Sequence, residues 1–134
     1  MNRRTWISLS AAILASGCLG LAGPPKKKKI AWIRLENDRS EARDVELSIE
    51  RKEEVVFREI FQLGTTPETA VARVERPVEE QGRYTLHFDF GEDLVHLPPS
   101  EFADAEITER CLGIQFTLHE RGTSGFEFEP IQEC

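Results

Sequence analysis

Lysine, methionine and the recognised motifs of metal or nucleotide chemistry are what this chain has least of. Outside Lys26 to Lys29 its only lysine is Lys52, and its only methionine is Met1. It carries no glycine-rich phosphate loop, no paired-cysteine zinc spacing and no His-Glu-x-x-His. Nothing in the sequence therefore announces nucleotide hydrolysis or zinc proteolysis. Ser124 lies between Thr123 and Gly125 without the Gly-x-Ser-x-Gly elbow that activates a nucleophile, and reads as a turn residue. The formal charge is −7, and an acidic body is repelled by phosphate, which excludes nucleic acid as a partner. A long apolar run is also missing. Thr5 to Gly23 is nineteen residues without a charge, near the minimum for a spanning helix. Ser8, Ser10, Ser16, Gly17, Gly20 and Gly23 dilute it, and Lys26 to Lys29 would flank it on the outer side, against the positive-inside rule.

What is present begins with a leader. Arg3 and Arg4 form a charged start, and Thr5 to Leu14 an apolar middle. Ala15-Ser16-Gly17 is the small-residue stretch that a signal peptidase accepts. Cys18 follows at once. Leu14-Ala15-Ser16-Gly17-Cys18 resembles the lipoprotein signal, in which the thiol is alkylated by lipid and becomes the first residue of the exported chain. The paired arginines also resemble a twin-arginine leader. The expected organisation is a signal peptide over 1–17, a lipid-anchored tether over 18–29 and one domain over 30–134. In the tether, Pro24 and Pro25 hold the chain extended. Lys26, Lys27, Lys28 and Lys29 are placed to meet anionic headgroups. Cleavage before Cys18 removes two arginines and leaves 24 acidic against 15 basic residues, a net of −9.

The cysteine count agrees with this arrangement. Three cysteines are an odd number for an exported protein. With Cys18 given to lipid, Cys111 and Cys134 are left as one expected disulfide, worth about 3 kcal/mol in the chain-entropy account.

After residue 29 the hydrophobic period is two, the pattern of half-buried strands. Ala31, Ile33 and Leu35 alternate with Trp32 and Arg34, and Val45, Leu47 and Ile49 with charged neighbours. Val55, Phe57, Phe61 and Leu63 share one parity. Ala70, Ala72 and Val74 make a weaker run. Tyr84, Leu86, Phe88 and Phe90 alternate cleanly, as do Leu112, Ile114, Phe116 and Leu118, and Phe126 with Phe128. Turn signals separate these segments at Glu36-Asn37-Asp38, at Gly64 to Pro67 and at Arg121 to Gly125, while Arg51 to Glu54 reads as a tight hairpin. About seven strands in one domain predict an all-β protein of two packed antiparallel sheets. Leu94 to Phe102 reads as the longest irregular segment, and Ser100 to Glu109 reads as loop holding one helical turn.

Glu80-Gln81-Gly82-Arg83-Tyr84 is similar to the Asp-x-Gly-x-Tyr entry to a late strand of immunoglobulin-like sandwiches, where the tyrosine hydroxyl bonds backbone upstream. The low lysine, high acid and lipoprotein-type leader look similar to haloarchaeal lipoproteins with a domain of that kind, a group whose activity is unassigned. The resemblance implies a non-enzymatic, extracytoplasmic, membrane-anchored binding or interaction module with no cofactor. Its partner is an envelope protein or ligand. The alternative is a substrate- or metal-binding accessory of an envelope transporter. Trp32 and the 94–102 segment, with Leu97-Pro98-Pro99 and Phe102, are the candidate partner surface. A blue-copper site is not expected, because His119 lies too far after Cys111 and the only methionine is Met1. His87 and Asp89 share a solvent face, with Asp93 and His96 close behind. All four read as exposed polar residues and not as metal ligands.

Overall fold

The computed structural model describes residues 27–102 and 111–132. The leader, Cys18, the tether as far as Lys26, and Cys134 lie outside the described residues. Eight strands follow in order: β1 (Lys29–Asn37), β2 (Arg43–Arg51), β3 (Glu54–Leu63), β4 (Val71–Glu75), β5 (Tyr84–Asp89), β6 (Leu94–Leu97), β7 (Cys111–Leu118) and β8 (Ser124–Ile131). A single helical turn, α1 (Pro99–Phe102), lies between β6 and β7. They make two four-stranded sheets, ordered β4-β1-β7-β8 and β3-β2-β5-β6. The chain is thus an all-β sandwich, as the period of two predicts.

The extra strand corrects the expectation for Leu94 to Phe102. Leu94 to Leu97 pairs with β5 along the edge of its sheet, and Pro98 and Pro99, which lack the donor a strand needs, end it. Strand order departs from the immunoglobulin arrangement. There the second and third strands sit in opposite sheets, whereas here β2 and β3 form one hairpin. The two central residues of that hairpin, Lys52 and Glu53, both take left-handed φ, 53° and 66°, the twist that matches two antiparallel strands. The immunoglobulin-like feature that is present is the corner itself: the Tyr84 hydroxyl donates to the Glu80 carbonyl at 2.6 Å.

All pairings are antiparallel except β1 with β7, which run parallel in the middle of their sheet. The core lies between the inner faces. Ile33, Leu35, Leu112, Ile114, Phe116 and Leu118 come from one sheet and Val45, Leu47, Ile49, Leu86 and Phe88 from the other, all fully buried. Phe88 and Phe116 stack across the gap with centroids 4.3 Å apart, and Phe126 leans on both. An aromatic contact of this kind adds about 0.5–1.5 kcal/mol beyond the area it buries.

The domain begins earlier than residue 30. Lys28 is buried (3% exposed) and exchanges two backbone hydrogen bonds with Gly82, and Lys29 opens β1. The tether expected over 18–29, with four lysines turned to headgroups, therefore overlaps the sandwich at Lys28 and Lys29. Backbone pairing fixes both, because a strand residue beside a partner strand loses the freedom a tether needs.

Polar burial marks the far end of the sandwich. Asn37 donates to the carbonyls of Glu41 and Gly64 and accepts from the Arg39 amide. The Arg39 guanidinium is also buried. It donates to the carbonyls of His119 and Thr123 and to Glu92, and lies 5.5 Å from the Phe90 ring. It thereby ties the β7–β8 turn to the β5–β6 turn across the two sheets.

Candidate functional site

The register of four strands decides which polar side chains become neighbours. On the outer face of β4-β1-β7-β8, Glu75, Trp32, Gly113 and Glu129 lie in one row across the sheet. Arg73, Arg34, Gln115 and Glu127 form the next, and Val71, Glu36, Thr117 and Gly125 the third. An open basin of about 580 Å³ runs over this face, lined by Trp32, Arg34, Glu36, Asp38, Gln115, Thr117, His119, Glu127, Phe128 and Glu129.

Two glycines create the space for its two outer rings. A Cβ at Gly113 would meet Trp32 Cζ2 at 2.1 Å, so the indole lies directly on the backbone of β7. A Cβ at Gly125 would meet His119 Nε2 at 2.9 Å. The polar groups between the rings hold one another. Arg34 donates to Glu36 at 3.0 Å and to Gln115 at 2.8 Å, while Gln115 donates to Glu36 and to Thr117. The Arg73 guanidinium covers the Trp32 ring at 4.5 Å and pairs with Glu75.

The charge of the basin is one-sided. Arg34 alone stands against Glu36, Asp38, Glu127 and Glu129. Glu36 is matched by Arg34, whereas Asp38, Glu127 and Glu129 pair with no basic side chain among the described residues. The basin therefore offers an indole held between the β7 backbone and Arg73, a fork of fixed hydrogen-bonding groups, and carboxylates without a basic partner among the described residues.

The remaining sequence-selected residues fall elsewhere. Leu97 is buried, so it serves the core and not a partner, while Leu94 is 46% exposed. Ser124 opens β8 opposite Leu118. Cys111 is disulfide-bonded, and both other cysteines lie outside the described residues. His87 and His96 are brought together across β5 and β6, their rings perpendicular. Asp89 and Asp93 are not aimed at them, since each accepts a backbone amide of its own turn, from Gly91 and Leu94. Among the described residues no three metal-ligating side chains gather, and no helix is long and apolar enough to cross a membrane. At the Tyr84 corner, burial pushes the phenol above its ordinary value, and the neighbouring Arg51 guanidinium opposes that shift. Arg51 is itself held above its ordinary value, chiefly by its hydrogen bond to Glu80.

Trp32 was legible from its parity; His119, Glu127 and Glu129 were not selected. The signal that points to their face is Gly113, a glycine in the middle of an otherwise regular strand, where something approaches the backbone closely. No protein-family model, no curated protein and no solved structure matches the chain.

Proposed function

We propose that the chain is an exported lipoprotein, cut before Cys18 and held by lipid on that cysteine to the outer face of a membrane. In this reading the sandwich is a non-enzymatic binding module that takes a basic segment of another envelope protein on the outer face of β4-β1-β7-β8. Lys26 and Lys27 are the tether lysines left to meet headgroups, and Cys111 pairs with Cys134. The register supports that pairing, because Cys111 lies opposite Ile131 and Cys134 follows three places on.

The observation that carries the reading is the set Asp38, Glu127 and Glu129, acids without a basic partner among the described residues, along one basin that Trp32, spread on Gly113, closes at the end away from Asp38. A guanidinium or ammonium group of the basic segment would take the place of Arg73 over the indole, exchanging one cation–π contact of about 0.5–1 kcal/mol for another. Nearby carboxylates add Coulomb attraction and raise the encounter rate. Arg73, seated over the same ring, shows the kind of group this surface accepts.

Tryptophan gives a direct test, since the chain has only Trp6 and Trp32. In a Trp6→Phe background, oligoarginine and oligolysine should change Trp32 emission saturably. Oligoglutamate and neutral oligosaccharides should not. Trp32→Ala should remove the signal, and Glu127→Gln with Glu129→Gln should weaken binding. A response to neutral saccharide and none to the cationic peptides would sink the ligand assignment. The anchor is tested by intact mass and membrane partitioning beside a Cys18→Ser variant: a full-length, unlipidated chain would remove it. A second reading, the substrate- or metal-binding accessory, is favoured by the opposed histidines of β5 and β6.

A further inference from the structure

The other sheet carries a feature that the binding face does not use. His87 on β5 and His96 on β6 are directly opposed in the register. Their Nδ1 atoms are 2.5 Å apart and their rings are perpendicular. One hydrogen lies between these two nitrogens, donated by one ring to the lone pair of the other, and once it is removed both lone pairs face that point. On its other side His87 presents Nε2 to Glu50 Oε1 at 3.1 Å. This Nε2 is shielded from solvent and lacks a well-directed hydrogen bond.

We infer that His87 and His96 are a bidentate site for a late first-row divalent transition ion, copper(II) above all, with Glu50 orienting His87 from behind. Imidazole nitrogen suits these ions, and copper(II) stands at the top of their affinity order with a square, tetragonal preference. At metal–nitrogen distances of about 2.0 Å, two nitrogens at adjacent corners of a square lie about 2.8 Å apart. Two at tetrahedral corners lie about 3.3 Å apart. The square arrangement therefore asks the smaller opening of the pair, and His96 is exposed on an edge strand and free to supply it. Metal on both Nδ1 atoms moves the shared hydrogen, through solvent, to Nε2 of the ring that donated it, so each imidazole stays neutral with its proton on Nε2 and that of His87 faces Glu50. That carboxylate-to-imidazole contact is the usual support of a metal-bound histidine. The other coordination positions belong to water or to a group that the partner brings, since no third metal-ligating side chain joins the pair among the described residues.

The test is a titration of the full chain, as Cys18→Ser, with copper(II) chloride, followed by calorimetry and electron paramagnetic resonance. The expected result is one strong site per chain with the hyperfine pattern of two imidazole nitrogens. That site should be lost in His96→Asn and in His87→Asn while circular dichroism stays that of the parent. Glu50→Gln should keep the two-nitrogen pattern and weaken binding about 10–100-fold, and His119→Asn should change neither. Absence of tight binding, copper binding indifferent to His96→Asn, or loss of the site in His119→Asn would each overturn the assignment.

Discussion

Substituting Gly113 by alanine should dislodge Trp32, and the size of the effect follows from opposing contributions. The new methyl carbon would stand 2.1 Å from Trp32 Cζ2 and 2.2 Å from Cε2, more than 1 Å inside ordinary contact. The backbone of β7 is fixed on both sides by β1 and β8, so the indole is what moves, outward into solvent. It surrenders its contact with the strand, a share of the roughly 1.5–3 kcal/mol that full burial of a large apolar side chain brings. It also surrenders the Arg73 cation–π contact, about 0.5–1 kcal/mol. Against this, replacing a mid-strand glycine returns about 0.5–1 kcal/mol of backbone entropy. The balance is a loss of about 1 kcal/mol, a fall in Tm of about 4–8 °C for a domain of this size. The assay is urea and thermal unfolding in the Trp6→Phe background, with Trp32 emission expected to move to the red in the folded state. The same substitution made in Trp32→Ala should change sign and stabilise by about 0.5–1 kcal/mol, because the obstruction is gone. The coupling between the two sites should therefore be about 1.5–2 kcal/mol. Additive effects, or a blue-shifted and more stable Gly113→Ala single variant, would refute the placement of the indole and with it the binding face.

Two further perturbations probe the ends of the sandwich. Arg39→Met removes a buried guanidinium and leaves the carbonyls of His119 and Thr123 without that donor. A loss of about 2–3 kcal/mol in urea unfolding is expected, with poor rescue by Arg39→Lys, which lacks the planar fork; a loss under 0.5 kcal/mol would show that the turns do not depend on it. Tyr84 is the only tyrosine, so tyrosinate absorbance reports it alone. Its folded pKa is raised, mainly by burial, so the folded state holds this proton more tightly than the unfolded one. The associated stability is complete below the ordinary tyrosine value of 10.0 and is lost as pH rises through the folded value. Wild-type stability should therefore fall in that alkaline window more steeply than that of Tyr84→Phe, and parallel pH profiles would contradict it.

Strands were legible in this sequence because alternation is a local property. Arg43–Arg51, Tyr84–Asp89 and Cys111–Leu118 each carry an unbroken apolar parity, and a half-buried sheet leaves no other way to satisfy it. β6 was not legible. Its four residues are too few to display a period, and Leu94 at its start shares the exposed outer parity of His96 and not the core side of Leu97. Arg39 was hidden for a different reason. Glu36-Asn37-Asp38 has the composition of a solvated turn, yet Asn37 is buried by bonds to two backbone carbonyls, and Arg39 is buried by turns some eighty residues away in the chain. Sequence spacing carries no trace of such contacts. The candidate face was half legible for the same reason: parity places Trp32, Gln115 and Glu127 outward, but only the pairing of β1 with β7 and of β7 with β8 makes them neighbours.

That pairing depends on one irregularity. In a regular strand Ile30 and Trp32 would point to the same side, yet Ile30 is buried in the core and Trp32 lies on the outer face. The register between β1 and β7 shifts between these two residues, with Ile30 opposite Leu112 and Trp32 opposite Gly113, so Ala31 is the extra residue of a bulge. A bulge re-aims the side chains on either side of it. Here it turns Ile30 into the core, while the regular alternation that follows keeps the indole outward on the one residue of β7 that has no side chain to obstruct it. The opposed histidines need no such device, because β5 and β6 pair without a shift and the cross-strand register alone brings their rings together. The two outer faces are thus assembled by different means. A change in β1 that straightened the strand while keeping Ala31 would turn Ile30 out of the core, leaving Trp32 on the parity of Arg34 and Glu36 and the histidine pair of the second sheet in place.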